Sequence, residues 1–159
     1  MKRFIVSAAL AGMIAATSAA AVTPVSKIKV EADLASIQNA KAAQVWSGLS
    51  NDLETAIAQR LVDQIEPDGA RVLIDIDTVE LADGFENTAG LGNSSLTGLV
   101  RIKGAGIEKN DRYELSISAE QARAFYPTGE NVTLVNVDSS VFYQAMIDAF
   151  AENVVRKLK

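Results

Sequence analysis

Asp75 and Asp77, with one residue between them, are the pair of side chains whose type and spacing best suit metal binding or acid–base catalysis. Paired carboxylates bind hard cations such as Ca²⁺, or act as the acid and base of a hydrolase. A calcium loop of the EF-hand type needs glycine where this chain has Glu80, and a hydrolytic pair needs a cleft that an exposed strand does not supply. We therefore interpret both aspartates as solvent-exposed partners of basic residues across a sheet, namely Arg101, Lys103 or Arg112.

Two missing residue types exclude most other active sites. None of the 159 residues is Cys or His, which excludes disulfides, thiolate nucleophiles, a Ser-His-Asp triad and zinc sites built from these residues. The serines have only lysine as an amine base, and no spacing indicates a Ser-Lys pair. The glycine-rich segment 84–98 lacks the spacing of a phosphate-binding loop. The sequence predicts no catalytic, cofactor or metal site.

The amino terminus has the layout of a cleavable signal peptide. Lys2 and Arg3 precede an uncharged apolar run over residues 4–16, and small residues ending in Ala21 follow. The run is shorter than the roughly 20 residues that a membrane-spanning helix needs. We expect cleavage before Val22, a periplasmic location and no transmembrane segment in the mature chain. Residues 22–159 then suffice for one domain.

Charge and hydropathy patterns set the partner class and the elements. A formal net charge of −5 argues against nucleic acid, since phosphate binding needs a basic face. Alternating side chains predict strands at residues 26–34, 71–81, 96–107 and 112–118, and an edge strand at 132–137. Apolar residues at steps of three or four predict two amphipathic helices, over residues 46–65 and 139–159. Their stripes are Trp46, Leu49, Leu53, Ile57, Leu61 and Ile65, and Phe142, Met146, Phe150, Val154 and Leu158.

These elements predict an α+β fold in two layers. A mainly antiparallel sheet of four to five strands would be covered on one face by the two helices. Asn51 with Glu54 resembles a capping box, which would place the regular start of the first helix there.

The order of elements resembles that of small bacterial envelope proteins with a βαββα fold. Among these are the lipopolysaccharide-assembly lipoproteins and secretion accessory domains. The resembling segments are SKIKVEADL, NDLETAIAQRLVDQI, RVLIDIDTVEL and SSVFYQAMIDAFAENVVRKL. The lipoprotein members carry a lipid-anchor Cys at the cleavage site, and this chain has none. The resemblance therefore implies a free periplasmic protein of the cell envelope.

The leading functional hypothesis is a non-catalytic binding or assembly accessory protein that contacts another cell-envelope protein. Its candidate contact sites are the glycine-rich segment 84–98, a loop of unusual length, and the predicted edge strand at residues 132–137. An exposed strand edge can accept a partner's strand. The residues are Leu91, Asn93, Thr133 and Val135. Alternatives are a lipid or small-molecule carrier, which would need a cavity between sheet and helices, and a carboxylate-based hydrolase.

Overall fold

The computed structural model describes residues 22–82, 93–104, 110–129 and 135–159. The predicted signal peptide lies outside these ranges, as do two of the predicted contact residues, Leu91 and Thr133. Within the same ranges, no helix has both the length and the apolar character needed to cross a bilayer.

In the described part of the chain, four strands form one mixed sheet whose spatial order follows the chain. They are β1 (Val25–Ala32), β2 (Ala70–Glu80), β3 (Ser95–Lys103) and β4 (Asp111–Ser118). The last three form the antiparallel meander that their alternating side chains predict. β1 runs parallel to β2, because the chain passes through helices before it returns to the sheet. The α+β class with helices packed against a sheet is confirmed.

The first predicted helix is divided in two. α1 (Ala40–Trp46) begins at Asn39, whose side chain accepts hydrogen bonds from two backbone N–H groups of the first turn. α2 (Leu49–Arg60) follows after a two-residue turn that contains Gly48. The predicted helix start at Asn51 is therefore wrong, since α2 is already helical there.

The apolar stripe also ends earlier than predicted. A 3₁₀ turn at Val62–Gln64 follows α2, and its geometry turns Ile65 outward, so that this side chain is 49% exposed. Leu61, by contrast, is fully buried. The prediction of a continuous helix to residue 65 is wrong because helical periodicity stops applying once the backbone leaves the α conformation.

The second half of the chain closes the core. β4 leads into α3 (Ala119–Ala122), which Ser118 caps, and a 3₁₀ turn at Arg123–Phe125. α4 (Ser140–Leu158) then packs against α2 and the sheet, and all five residues of its predicted stripe are buried. Arg60 joins the two long helices, because its guanidinium donates to Asp148 Oδ1 at 2.8 Å.

The predicted edge strand at residues 132–137 is wrong in its described part. Residues 135–137 form no strand, and both valines of this segment are buried in the core. The carbonyl oxygen of Val137 accepts a hydrogen bond from Trp46 Nε1 at 3.3 Å, which ties the segment to α1 instead of to the sheet. Residues 132–134 lie outside the described ranges.

Candidate functional site

The two described residues among the predicted contacts differ in accessibility. Asn93 is exposed and stands two residues before β3. Val135 is only 9% exposed and belongs to the hydrophobic core, which leaves little of its side chain accessible; its role as a partner contact stays a prediction. Asn93 lies near the end of the sheet where β2 finishes, because the adjacent Ser94 Oγ accepts from Ala82 N at 2.9 Å and joins the start of β3 to the residues after β2.

A groove of about 390 Å³ opens at this end of the sheet. One wall is the segment between β1 and α1, and the other is the last part of β2 with the two residues that follow. We call it the β2 groove, and its lining residues are Ser36, Ile37, Gln38, Asn39, Thr78, Val79, Glu80, Leu81, Ala82 and Val137.

The groove exists because β2 is longer than β1. β1 ends at Ala32, which pairs with Ile76, and the backbone N–H of Asp33 makes the final contact to the Ile76 carbonyl at 3.2 Å. β2 continues to Glu80, and this extension pairs with β3 alone. On the β1 side, the extension faces the groove, where the Val79 carbonyl accepts from Ser36 Oγ at 3.3 Å. A short length of sheet edge therefore lies at the wall of a concave site.

A β-bulge changes the direction of side chains at the entrance of this extension. The β2–β3 register shifts between Ile76 and Thr78, so that Ile76 and Val79 are both buried although they stand three residues apart. A bulge of this kind bends a strand and increases its twist. The sequence contains a signal for it, because strict alternation separates buried side chains by two or four positions and not by three. Alternation over residues 71–81 predicts a regular strand, and the bulge corrects that prediction.

The opposite wall is held in place by the α1 region. Asn39 Oδ1 accepts from the N–H groups of Lys41 and Ala42, which fixes the end of the wall to the start of α1. Trp46 is fully buried against the rings of Phe142 and Tyr143, and it holds Val137 at the base of the groove. The site is therefore built on packed elements, which favours binding with little reorganisation.

The lining of the groove combines polar and apolar groups. Hydroxyl, amide and backbone groups lie beside apolar carbon from Ile37, Leu81 and Val137. The carboxylate in its lining, Glu80, accepts a hydrogen bond from Ser95 Oγ at 3.2 Å. Such a lining can pair with a main chain and accommodate alternate side chains of an extended segment.

The aspartates singled out in the sequence lie elsewhere. Asp75 is on the exposed face of the sheet, between Glu31 and Leu99 in the strand register, and Asp77 is exposed at the bulge. Asp75 shares this face with Arg101 and Arg112, as predicted, but within the described residues no ion pair joins it to either of them. Among the described residues, no three acidic side chains converge to form a metal site.

A second cleft, of about 470 Å³, opens at the other end of the sheet. Arg71 and Lys103 stand directly opposite each other in its wall, and Ser26, Asp68 and Asn110 complete its polar lining. Two basic side chains and one acidic side chain line this cleft, which distinguishes its charge from that of the β2 groove.

Among the described residues, the pKa values that differ from the usual ones belong to the exposed Lys29–Glu31 pair and to tyrosines whose pKa burial raises. Burial, and then the nearby Asp111 carboxylate, raise the pKa of Tyr113 to about 12. Burial also raises the pKa of Tyr143, and the hydrogen bond that its hydroxyl donates to Asp52 Oδ2 at 2.6 Å raises it further. Both rings lie outside the β2 groove, so these shifts concern stability and not chemistry in the groove.

Comparison with known proteins gives few relatives. No protein-family model matches the chain, and no curated protein matches it. A solved structure that is similar to it is described as a "putative lipoprotein" from Caulobacter crescentus CB15, with 12% sequence identity and a TM-score of 0.36. The similarity covers 82% of this chain and 86% of that one.

Proposed function

We propose that this protein is an exported, non-catalytic accessory protein of the cell envelope, which binds an extended segment of a partner protein in the β2 groove. The observation that carries the proposal is the continuation of β2 beyond the end of β1, which leaves Thr78–Glu80 paired on one side only. Export rests on the signal-peptide layout of residues 1–21.

Strand addition accounts for the polar part of the proposed contact. An extended segment laid beside Thr78–Glu80 would form main-chain hydrogen bonds with the open edge, as in other cases of β-augmentation. Its side chains would alternate between the bulk solvent and the groove, where Ile37 and Leu81 offer apolar contact. Main-chain pairing would supply affinity, and these two side chains would supply preference for apolar residues in the partner.

Ser36 occupies part of the edge in the free protein. Its hydroxyl donates to the Val79 carbonyl, which satisfies an acceptor that an incoming strand would otherwise use. Binding would exchange this hydrogen bond for one from the partner's backbone. Because the exchange replaces one neutral hydrogen bond by another, it costs little.

A photoreactive residue at Gln38 in intact cells tests the proposal. Gln38 is exposed in the groove wall, and Gln59, exposed on α2, gives the matched control position. We expect one envelope protein to be captured from position 38 and not from position 59, through an extended segment identified by mass spectrometry of the crosslinked peptide. Capture from both positions, or from neither, would contradict the proposal.

A steric block separates the groove from the rest of the surface. Ser36→Trp fills the groove beside the open edge, whereas Ser47→Trp makes the same change at the exposed turn after α1. We expect the first variant to abolish capture at position 38 and the second to preserve it. If both variants capture the partner equally, the groove is not its binding site. Separately, turnover of a substrate by the purified protein would show an enzymatic function and contradict the accessory one.

A further inference from the structure

The exposed face of the sheet sorts its charges into rows. Strand register defines four rows across it: a distal basic row, a central basic row, an acidic row and a hydroxyl row. The distal basic row consists of Lys27, Arg71 and Lys103, and the central basic row of Lys29, Leu73, Arg101 and Arg112. The acidic row consists of Glu31, Asp75, Leu99 and Glu114, and the hydroxyl row of Thr78, Thr97 and Ser116. Both long helices pack on the opposite face of the sheet.

This sorting is unfavourable within one molecule. Arg71 stands directly opposite Lys103, and Arg101 directly opposite Arg112. Like charges in directly paired positions destabilise a sheet. Among the described residues, one basic side chain of these rows, Lys29, has an ion pair, and the Nε atom of Arg101 is buried with no hydrogen-bond partner. The face therefore carries unsatisfied basic groups beside a row of the opposite sign.

We propose that this face is the interface of a symmetric dimer of this chain. The two-fold axis lies in the plane of the interface, parallel to the rows and midway between the central basic row and the acidic row. It places the central basic row of each copy over the acidic row of the other copy. Arg112 then faces Glu114 of the partner subunit, and its own Glu114 faces the partner's Arg112. Such reciprocal contacts are the mark of an isologous interface.

The centre of the face provides the apolar part of the contact. Leu73 and Leu99 are half-buried, on neighbouring strands and in the two rows that flank the axis. The symmetry places Leu73 over the partner's Asp75 and Leu99 over the partner's Arg101, so that each leucine lies diagonally beside a leucine of the second copy at the middle of the interface. A small apolar centre surrounded by complementary charges is the usual anatomy of a protein–protein contact.

A second copy fits the centre of the face better than a purely anionic partner does. An anionic surface would attract the two basic rows and repel the acidic row that adjoins them, whereas a two-fold copy matches the central basic row with the acidic row and places the distal basic row over hydroxyl groups. The area is also adequate for a weak dimer: four strands about 4.8 Å apart and about 28 Å of strand length give roughly 500 Å² per copy. The total of about 1,000 Å² lies near the lower limit for specific interfaces, so we expect micromolar dissociation.

Charge exchange on β4 provides the test by sedimentation equilibrium of the purified protein, from micromolar to millimolar concentration. Arg112→Glu and Glu114→Arg should each weaken the dimer at least tenfold, since each places like charges across the axis. Mixing the two variants should restore it as a heterodimer, and the double variant R112E/E114R should restore the homodimer. Lys41→Glu makes the same charge change on α1 and should have no effect.

Loss of folding cannot imitate this result. Arg112→Glu removes the like-charge pair with Arg101, so its thermal stability should stay the same or rise while its dimerisation falls. A monomer at every concentration would overturn the proposal, and so would a dimer that Arg112→Glu leaves intact, or a failure of the mixed variants to associate. Binding of the monomer to anionic vesicles, lost in Arg112→Glu, would assign the face to a membrane and would also overturn it.

Discussion

Ile57 and Ile65 occupy the same predicted apolar stripe, but the structure places them in opposite environments. Ile57 is fully buried between α2 and the sheet, whereas Ile65 is 49% exposed after the 3₁₀ turn. The same substitution to alanine at both positions therefore separates what the helical pattern predicts from what the tertiary structure requires.

The expected losses follow from the atoms removed. Isoleucine to alanine deletes three carbon atoms, which costs about 2.4 kcal/mol in transfer free energy at about 0.8 kcal/mol for each buried group. At Ile57 a cavity adds to this, so we expect a loss of about 3–4 kcal/mol in the free energy of unfolding. At Ile65 half of the side chain is already in water and no cavity forms, so we expect about 1 kcal/mol or less.

Urea unfolding followed by circular dichroism measures both variants. Unchanged denaturant dependence would show that the free energies are comparable and that the variants unfold to similar states. A loss below about 0.5 kcal/mol at Ile57, the range of ordinary surface changes, would refute its assignment to the core. Equal losses at the two positions would refute the early end of the stripe.

Three further predictions concern single contacts. A Cβ atom at Gly69 would lie 2.6 Å from the backbone nitrogen of Val25, so Gly69→Ala should destabilise the fold by about 2–3 kcal/mol in the same urea assay; an unchanged midpoint would contradict this packing. Glu54 Oε1 accepts from the N–H of Val30 at 2.7 Å at the edge of β1, so Glu54→Ala should lower the free energy of unfolding by about 1–2 kcal/mol. Glu54→Gln keeps an acceptor and should lower it by less than half of that. Equal losses would show that the hydrogen bond is not the cause. Because the pKa of Tyr143 is raised on folding, the unfolded chain ionises first, and stability should be complete below about pH 10 and decrease above it. Thermal melts across this range should show a shallower decrease for Tyr143→Phe, and an unchanged slope would contradict the shift.

The protection of one sheet edge shows how the fold restricts where a strand can add. On β1, the Glu54 carboxylate from α2 binds the outward N–H of Val30, which covers that edge. β2 continues beyond the end of β1. Among the described hydrogen bonds, no side chain from a helix covers the open edge of this extension, and the side chain that bonds to it is Ser36, from the segment before α1. On this side of the sheet, the difference leaves the extension of β2 open to strand pairing; β4 forms the opposite edge.

Local patterns in the sequence were sufficient to predict the elements that have one buried side. Alternation in β2, β3 and β4 identifies the residues that face the core, because successive side chains of a strand point to opposite faces. The stripe of α4 was predicted for a similar reason, since it depends on residues within a few positions of each other. The α+β class followed from these elements.

Tertiary structure alone decided the features on which function depends. The parallel pairing of β1 with β2 results from contacts between residues more than 40 positions apart, which no local period encodes, and the point where this pairing stops leaves the end of β2 uncovered on that side. The same is true of the charge rows: each strand shows which residues face outward, but only the register sets Arg101 opposite Arg112. The turn between α1 and α2 was not predicted, because Trp46 and Leu49 keep the helical spacing across it. α1 ends at Trp46, whose side chain donates a hydrogen bond to the distant Val137 carbonyl. Local chemistry determined which side of each element is buried, and long-range pairing determined where the open edge and the charged face lie.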